Sequence, residues 1–325
     1  MRTQPDLAPL RKYWHPVEDS AAVRSDPVAA TLLEEDLVLF RARGRVHALA
    51  DCCPHRGTRL SLGWVDEQGC LVCAYHGWAY GPQGQCVRIP SQSDDPGRIP
   101  SKARVGAYHA EERYGLVWVA LEDPVAGIAP FPEYGDDGYV SHLSLRSSWN
   151  ASAGRFTENG LDVTHFPWVH PGTLGDRDEA ECPEIDIRVT DYGFEYRYSR
   201  ESLESPFATG GQPIHSLTMH HLPFTRCRVL TSDAGQSVQY VTARPTRARQ
   251  CEIWMIESRD HHLEDPIEPY IDFSRQLLEQ DRQIVESQRP EMLPIDLTEE
   301  LHLRGPDHVA LTYRRLLADA GVADV

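Results

Sequence analysis

Two short segments constrain this chain more than anything else in it: Cys53-Pro54-His55 and, after 17 intervening residues, Cys73-Ala74-Tyr75-His76. Each supplies one thiol and one imidazole, as Cys-x-His and Cys-x-x-His. Thiolates are soft ligands for iron and zinc, and imidazole suits both. A metal held this way obliges the fold to bring the two loops together. Three readings compete. A zinc finger pairs Cys with Cys and then His with His, whereas here each loop carries one of each. A redox Cys-x-x-Cys made of Cys70 and Cys73 leaves both histidines idle and lacks the βαβ surroundings of that motif. A two-iron cluster with thiolates on one iron and imidazoles on the other needs this pairing from two loops.

The surroundings of these loops read as a small antiparallel β domain. Strand-like segments at 37–50, 70–89 and 114–121 alternate with turn signals at Arg43-Gly44, Gly81-Pro82 and Gln83-Gly84. Residues 122–138 are rich in Pro, Gly and Asp, which places a boundary near Pro124 and divides the 325 residues into domains at 1–124 and 125–325. The second part reads as α+β. A helix is expected over 155–166, with strands at 185–199, 216–231, 236–244 and 250–259. A longer helix runs from Pro269 to Gln288, stopped by Pro290, and a short one over 307–319 ends at Gly321. The expectation is a curved antiparallel sheet with helices on one side.

Composition narrows the function. Lys and Arg number 32 and Asp and Glu 49, a formal net charge of −17. An acidic surface repels phosphate backbones, so no nucleic-acid partner is expected. No apolar run approaches the ~18 residues needed to span a bilayer, and the opening MRTQPDLAPLRKYW lacks the apolar stretch of a signal peptide. The expectation is a cytoplasmic protein without membrane association, its eight cysteines reduced. Outside the two ligand pairs, Cys52, Cys70, Cys86, Cys182, Cys227 and Cys251 read as packed small residues.

A second constellation spans Asn159-Gly160-Leu161-Asp162-Val163-Thr164-His165-Phe166-Pro167-Trp168-Val169-His170. On a helix, Asp162 and His165 share a face. Pro167 cannot sit in a regular helix interior without a kink, so His170 comes back from beyond it and the two imidazoles can converge on one ion. Oxygen-activating Fe(II) needs a carboxylate beside two imidazoles. The long C-terminal helix offers Asp281. Its apolar residues are Phe273, Leu277, Leu278, Ile284 and Val285, and Asp281 falls within ~20° of the centre of that stripe. A buried acid is unfavourable unless paired or bound to metal. From the residues alone, a salt bridge to an arginine and two ordinary surface or core histidines remain the alternatives.

CCPHRGTRLSLG and YHGWAYGPQGQCVRIP resemble the two cluster-binding loops of Rieske [2Fe-2S] domains, especially those of Rieske non-heme iron oxygenases, with Ala74 where the family commonly has Pro. NGLDVTHFPWVH resembles the Asp-x-x-His-x-x-x-x-His iron-binding segment of that family, and EQDRQIVESQRP the segment bearing its aspartate ligand. ERYGLVWVALEDP, HPGTLGDR and the closing TYRRLL are similar to members that work without a β subunit. Those include vanillate O-demethylase, dicamba monooxygenase and, most nearly, the saxitoxin-pathway hydroxylases. The resemblance runs from Trp14 to the C-terminal region and weakens between about 175 and 265, where a substrate pocket is expected.

The resemblance implies an N-terminal antiparallel β Rieske domain with Cys53, His55, Cys73 and His76 as [2Fe-2S] ligands. It implies a helix-grip (START-like) catalytic domain with His165, His170 and Asp281 on Fe(II). The implied activity is that of a terminal oxygenase. Electrons come from NAD(P)H through a separate flavin reductase or ferredoxin, and O2 is used to monooxygenate a small organic substrate by hydroxylation or oxidative demethylation. Aromatic cis-dihydroxylation is the alternative within the family. A Rieske electron carrier with a non-catalytic ligand-binding domain is the alternative outside it. A homotrimeric head-to-tail ring is also implied, with Asp162 linking His165 of its own chain to His76 of the next. Arg56, Arg59, Lys102 and Arg104 offer an acidic ferredoxin a docking face, and Asn159 matches a position near the iron. Strand alternation turns one of His220/His221 and one of His261/His262 inward, with solvated or core roles expected. Trp168, Phe224, Tyr240 and Trp254 read as core.

Overall fold

Tight turns between alternating apolar and polar runs build the N-terminal part. The computed structural model describes residues 6–92 and 99–325; residues 1–5 of the N-terminal stretch discussed above lie outside the described residues. The chain divides into two units, one of Arg11–Gly127 and one of Ile128–Val325 together with the residues up to Leu10. Among the described residues, no helix is long and apolar enough to cross a membrane.

In chain order the first unit holds β1 (His15–Asp19), β2 (Val28–Leu32), β3 (Glu35–Ala42), β4 (Arg45–Ala50), β5 (Trp64–Val65), β6 (Leu71–Val72), β7 (Ala79–Tyr80), β8 (Cys86–Arg88), β9 (Ala107–Arg113) and β10 (Leu116–Ala120). They form a six-stranded antiparallel sheet in the order β1-β10-β9-β4-β3-β2 and a four-stranded one in the order β5-β6-β7-β8. Arg43-Gly44 joins β3 to β4 with φ of 51° and 78°, the left-handed two-residue turn that matches strand twist. Val38, Phe40, Leu49, Leu60, Leu71 and Tyr80 pack into one core, and Cys53 and Cys73 are part of it.

The second unit is a seven-stranded antiparallel sheet covered by helices. Its strands are β11 (Val140–Trp149), β12 (Asp186–Thr190), β13 (Gly193–Glu201), β14 (Pro213–His221), β15 (Thr225–Thr231), β16 (Gln236–Arg247) and β17 (Gln250–Arg259), in the order β11-β17-β16-β15-β14-β13-β12. The helices are α1 (Ala153–Leu161), α2 (Phe166–Val169), α3 (Glu268–Val285) and α4 (His308–Asp319). Arg228 on β15 donates to the Gly160 carbonyl of α1, and Ser274 of α3 donates to Glu257 on β17. Arg228, Gln239 and Glu257 stand opposite one another in register, so α1 and α3 cover the same face.

Three sequence expectations are corrected here. The strands expected at 185–199 and 216–231 are each parts of a hairpin, β12/β13 and β14/β15. Pro223, which has no N–H to give to a ladder, lies in the second turn. The helix expected over 155–166 stops at Leu161. Asp162 is its C-cap, with extended backbone at φ −74° and ψ 145°. Pro167 therefore kinks nothing: it opens α2, where a missing N–H leaves no bond unmade. The long helix ends at Val285, three residues short of Gln288.

Candidate metal centres

The first site is built from two loops of matching backbone. In one, Gly57 N donates to Cys53 O and Cys53 N donates to Thr58 O, both at 2.8 Å. In the other, Gly77 N donates to Cys73 O at 3.0 Å and Cys73 N donates to Trp78 O at 2.9 Å. Each is a Cys-x-x-x-Gly turn whose glycine is left-handed, with φ of 71° and 70°. That conformation is open to glycine at no steric penalty. The first loop leaves β4 and the second joins β6 to β7, so the sheets set them facing. Cys53 and Cys73 are buried, while the His55 and His76 rings lie nearer the surface with centroids 4.5 Å apart. His55 stacks on Trp78 at 4.5 Å, and its Nδ1 is buried without a hydrogen-bond partner. Tyr80 Oη lies 3.1 Å from Cys53 Sγ. Burial pushes the Cys73 thiol up, the Tyr75 backbone N–H opposes this, and the neighbouring Cys53 pushes it up further. Two adjoining buried thiols and an orphaned imidazole nitrogen suit a thiophilic metal centre.

The second site draws on segments far apart in sequence. His165, His170 and Asp281 each present one ligand atom, and those atoms lie within 4.8 Å of one another. Asp281 Oδ1 is 3.0 Å from His170 Nε2 and 3.4 Å from His165 Nε2. His165 Nε2 is buried and makes no hydrogen bond. Asp162 does not share a helix face with His165, as the sequence spacing had implied. Its carboxylate instead accepts from the backbone N–H groups of Thr164 and His165, both at 3.0 Å, and closes the turn after α1. The same carboxylate lies 2.8 Å from His165 Nδ1. His170 Nδ1 is 2.8 Å from Gln280 Oε1, and Asn159 Nδ2 donates to Asp281 Oδ1 at 3.4 Å. Two imidazole nitrogens and a carboxylate, aimed at one point and oriented from behind, fit a ferrous ion.

Comparison with known proteins matches both parts of the chain to one family. Residues 13–108 match the Rieske [2Fe-2S] domain, and residues 149–323, more than half of the chain, match the vanillate O-demethylase oxygenase C-terminal domain. The chain belongs to the Rieske non-heme iron oxygenases. Methylxanthine N1-demethylase NdmA of Pseudomonas putida is 30% identical over 321 residues, covering 95% of this chain and 89% of that one. Methylxanthine N3-demethylase NdmB of the same organism is 32% identical over 300 residues, 88% and 83% of the two chains. The structure of Pseudomonas putida CBB5 NdmA with caffeine superposes with a TM-score of 0.87 at 28% identity, over 96% of this chain and 91% of that one. This Rieske oxygenase is thus a terminal oxygenase. It takes a [2Fe-2S] cluster and mononuclear Fe(II) and uses O2 on a small organic substrate, in a family whose members work with a separate reductase or ferredoxin.

Electrostatics in the oxygenase support a cation at the triad. Burial works to raise the Asp281 carboxyl, but His165 and His170 outweigh it and hold it at about 2. Burial works to lower His165, but Asp162 and Asp281 on its two sides lift it to about 9. Carboxylates on both edges of the His165 ring favour positive charge at this site.

Several residues sit other than expected. Trp168 is 58% exposed, being on the outer side of the short α2, whereas Phe224, Tyr240 and Trp254 are core. Cys52 is exposed because Cys53 takes the inward position of its turn. Ile284 lies outside the buried stripe of α3, which runs through Tyr270, Ser274, Leu278 and Val285. His220 and His221 are both buried, the first against Phe194 and Tyr313 and the second stacked on Tyr192. Sequence reasoning missed Gln280, because neighbouring helical residues point about 100° apart and helical periodicity assigns only one of them to a given site. It also missed Arg226. A Cβ on Gly160 would come within 1.4 Å of Arg226 Nη1, so this glycine is what lets the arginine pack beneath the end of α1.

Proposed function

We propose that this oxygenase catalyses oxidative demethylation of a small methylated ring compound at iron held by His165 Nε2, His170 Nε2 and Asp281. The observation that carries the reading is the approach of those three donors within 4.8 Å. Bound iron supplies oxygen activation and the cluster supplies single electrons. Cys53 and Cys73 hold the cluster from the core side and His55 and His76 from the surface side. Asp162 holds the Nδ1 proton of His165, which leaves Nε2 free as a ligand.

The preference for demethylation is supported by the near-full-length relatives named as N1- and N3-demethylases. It is further supported by polar groups on the sheet face that α3 covers. Gln239 and His142 flank Glu257 there, and both ring nitrogens of His142 are buried without hydrogen bonds, Nε2 lying 3.8 Å from Glu257. Ser274, which donates to Glu257, is two helical turns or about 10 Å from Asp281. A heteroatom ring reaching from the triad to His142 would meet one donor and one acceptor.

The working form in this reading is a cytoplasmic homotrimer, in which Asp162 of one subunit meets His76 of the next. His76 is exposed, and Asp162 opens on a surface hollow of about 210 Å³ lined also by Asn159, Thr164, His165, Ile284 and Asp307. The eight free cysteines fit a reducing compartment. Arg56, Arg59, Lys102 and Arg104 are exposed and supply a basic face for an acidic ferredoxin.

The test supplies reductase, NAD(P)H and methylated heterocycles or methoxyarenes. Demethylation consumes O2, two electrons and two protons, and yields the demethylated ring, formaldehyde and water. One formaldehyde per demethylated product is expected, and none with Asp281→Ala. An alcohol that retains its carbon, or a cis-diol, would contradict the reading.

A further inference from the structure

The polar contacts that hold the two triad histidines are not equivalent. His165 is backed at Nδ1 by a carboxylate, that of Asp162 at 2.8 Å. His170 is backed at Nδ1 by a neutral amide, that of Gln280 at 2.8 Å. His170 is 1% exposed, so no solvent competes for its ring. An amide oxygen only accepts, so Nδ1 of His170 carries the proton and Nε2 keeps its lone pair. Nε2, 3.0 Å from Asp281 Oδ1, is thereby left for a metal ion. Gln280 and Asp281 are consecutive on α3, and their side chains diverge by about 100°. They therefore straddle the His170 ring and hold both of its nitrogen edges from a single helical turn.

We propose that Gln280 is the positioning residue for His170, fixing its tautomer and ring plane so that Nε2 is presented to iron. This rests on the triad reading above. The two histidines thereby differ in basicity. A carboxylate behind an imidazole makes it a stronger donor, whereas an amide orients the ring and adds no charge. Gln280→Glu keeps the acceptor and adds a negative charge close to the metal, which favours the ferric state. Gln280→Leu keeps the bulk and removes the acceptor, freeing the His170 ring to rotate and to take the other tautomer.

The experiment is anaerobic titration with Co(II), read by its visible absorption, of protein that retains its cluster. The variants are Gln280→Leu, Gln280→Glu and His170→Ala. The EPR signal of the reduced cluster reports that each variant is cluster-loaded, and an unchanged thermal midpoint of the second unit reports that it is folded. Wild type is expected to bind Co(II), and His170→Ala to lose it. Gln280→Leu is expected to bind on the order of 10- to 100-fold more weakly, with an altered Co(II) spectrum. Gln280→Glu is expected to restore affinity and, with iron, to shift the mononuclear couple to lower potential. Wild-type affinity and spectrum in Gln280→Leu, or failure of Gln280→Glu to restore them, would overturn the role of Gln280 and leave the triad standing. Retention of Co(II) by His170→Ala, or no uptake by wild type, would overturn the triad itself and this inference with it.

Discussion

The two Cys/His loops and the His165, His170 and Asp281 group bring metal-ligating side chains together by opposite routes. In the loops, each Cys and His pair lies within four residues, and the backbone of a Cys-x-x-x-Gly turn sets its own geometry. The triad joins a turn after α1 to a helix that begins about a hundred residues later, and Gln280 and His170 are 110 positions apart. A local site needs little beyond its own turn. A distributed one depends on every contact that fixes the two segments on the sheet. Arg228 to Gly160 O, Ser274 to Glu257 and the Arg314 link from α4 to Glu158 of α1 are such contacts.

The largest effects should separate the sites completely. Cys73→Ser is expected to abolish the reduced-cluster EPR signal. Asp281→Ala is expected to leave that signal intact while iron falls from about three to about two atoms per chain. Loss of both centres in Asp281→Ala, by metal analysis and EPR, would break the contrast. Asp162→Asn comes next. It should keep both metals yet slow single-turnover oxidation of the cluster in the presence of substrate and O2, by at least the ~10- to 100-fold typical of such partners. Normal turnover would remove Asp162 from the electron route.

Gly160→Ala tests the dependence on remote packing. The added methyl collides with Arg226, and overpacking of this kind costs about 1–3 kcal/mol. The thermal midpoint should drop and iron affinity should weaken, while the cluster spectrum is unchanged. An unaltered thermal midpoint would show that α1 is held by other means. The smallest effect is local. Tyr80→Phe removes the hydroxyl beside Cys53 Sγ. A hydrogen bond worth about 1 kcal/mol corresponds to ~40 mV for a one-electron couple. The cluster potential should fall by that order in protein-film voltammetry, because a donor to sulfur stabilises the reduced, more negative cluster.

Legibility followed the same division. The candidate cluster ligands stood out as two short patterns of Cys, His and Gly. Asp281 stood out too, because an acid on an apolar helical stripe breaks a pattern that periodicity makes visible. What the sequence hid was set by backbone turns and by contacts between strands. The break after Leu161 depends on Asp162 turning its carboxylate onto the next two N–H groups, which spacing alone does not separate from a continuing helix. The two hairpins read as long strands because Tyr192 in one turn and Leu222 and Phe224 in the other are strand-type residues that outweigh Asp191, Gly193 and Pro223. Trp168 was placed inside on composition, and a helix as short as α2 leaves it outside. Gln280 was passed over because its role depends on where His170 lies.

Anomalous diffraction at the iron edge from cluster-loaded, ferrous-reconstituted crystals tests the central claim most directly. One iron is expected among His165 Nε2, His170 Nε2 and the Asp281 carboxylate, with a separate pair between Cys53 and Cys73 on one side and His55 and His76 on the other. A triad without an iron peak in such crystals, or an iron held by other residues of the second unit, would contradict the account.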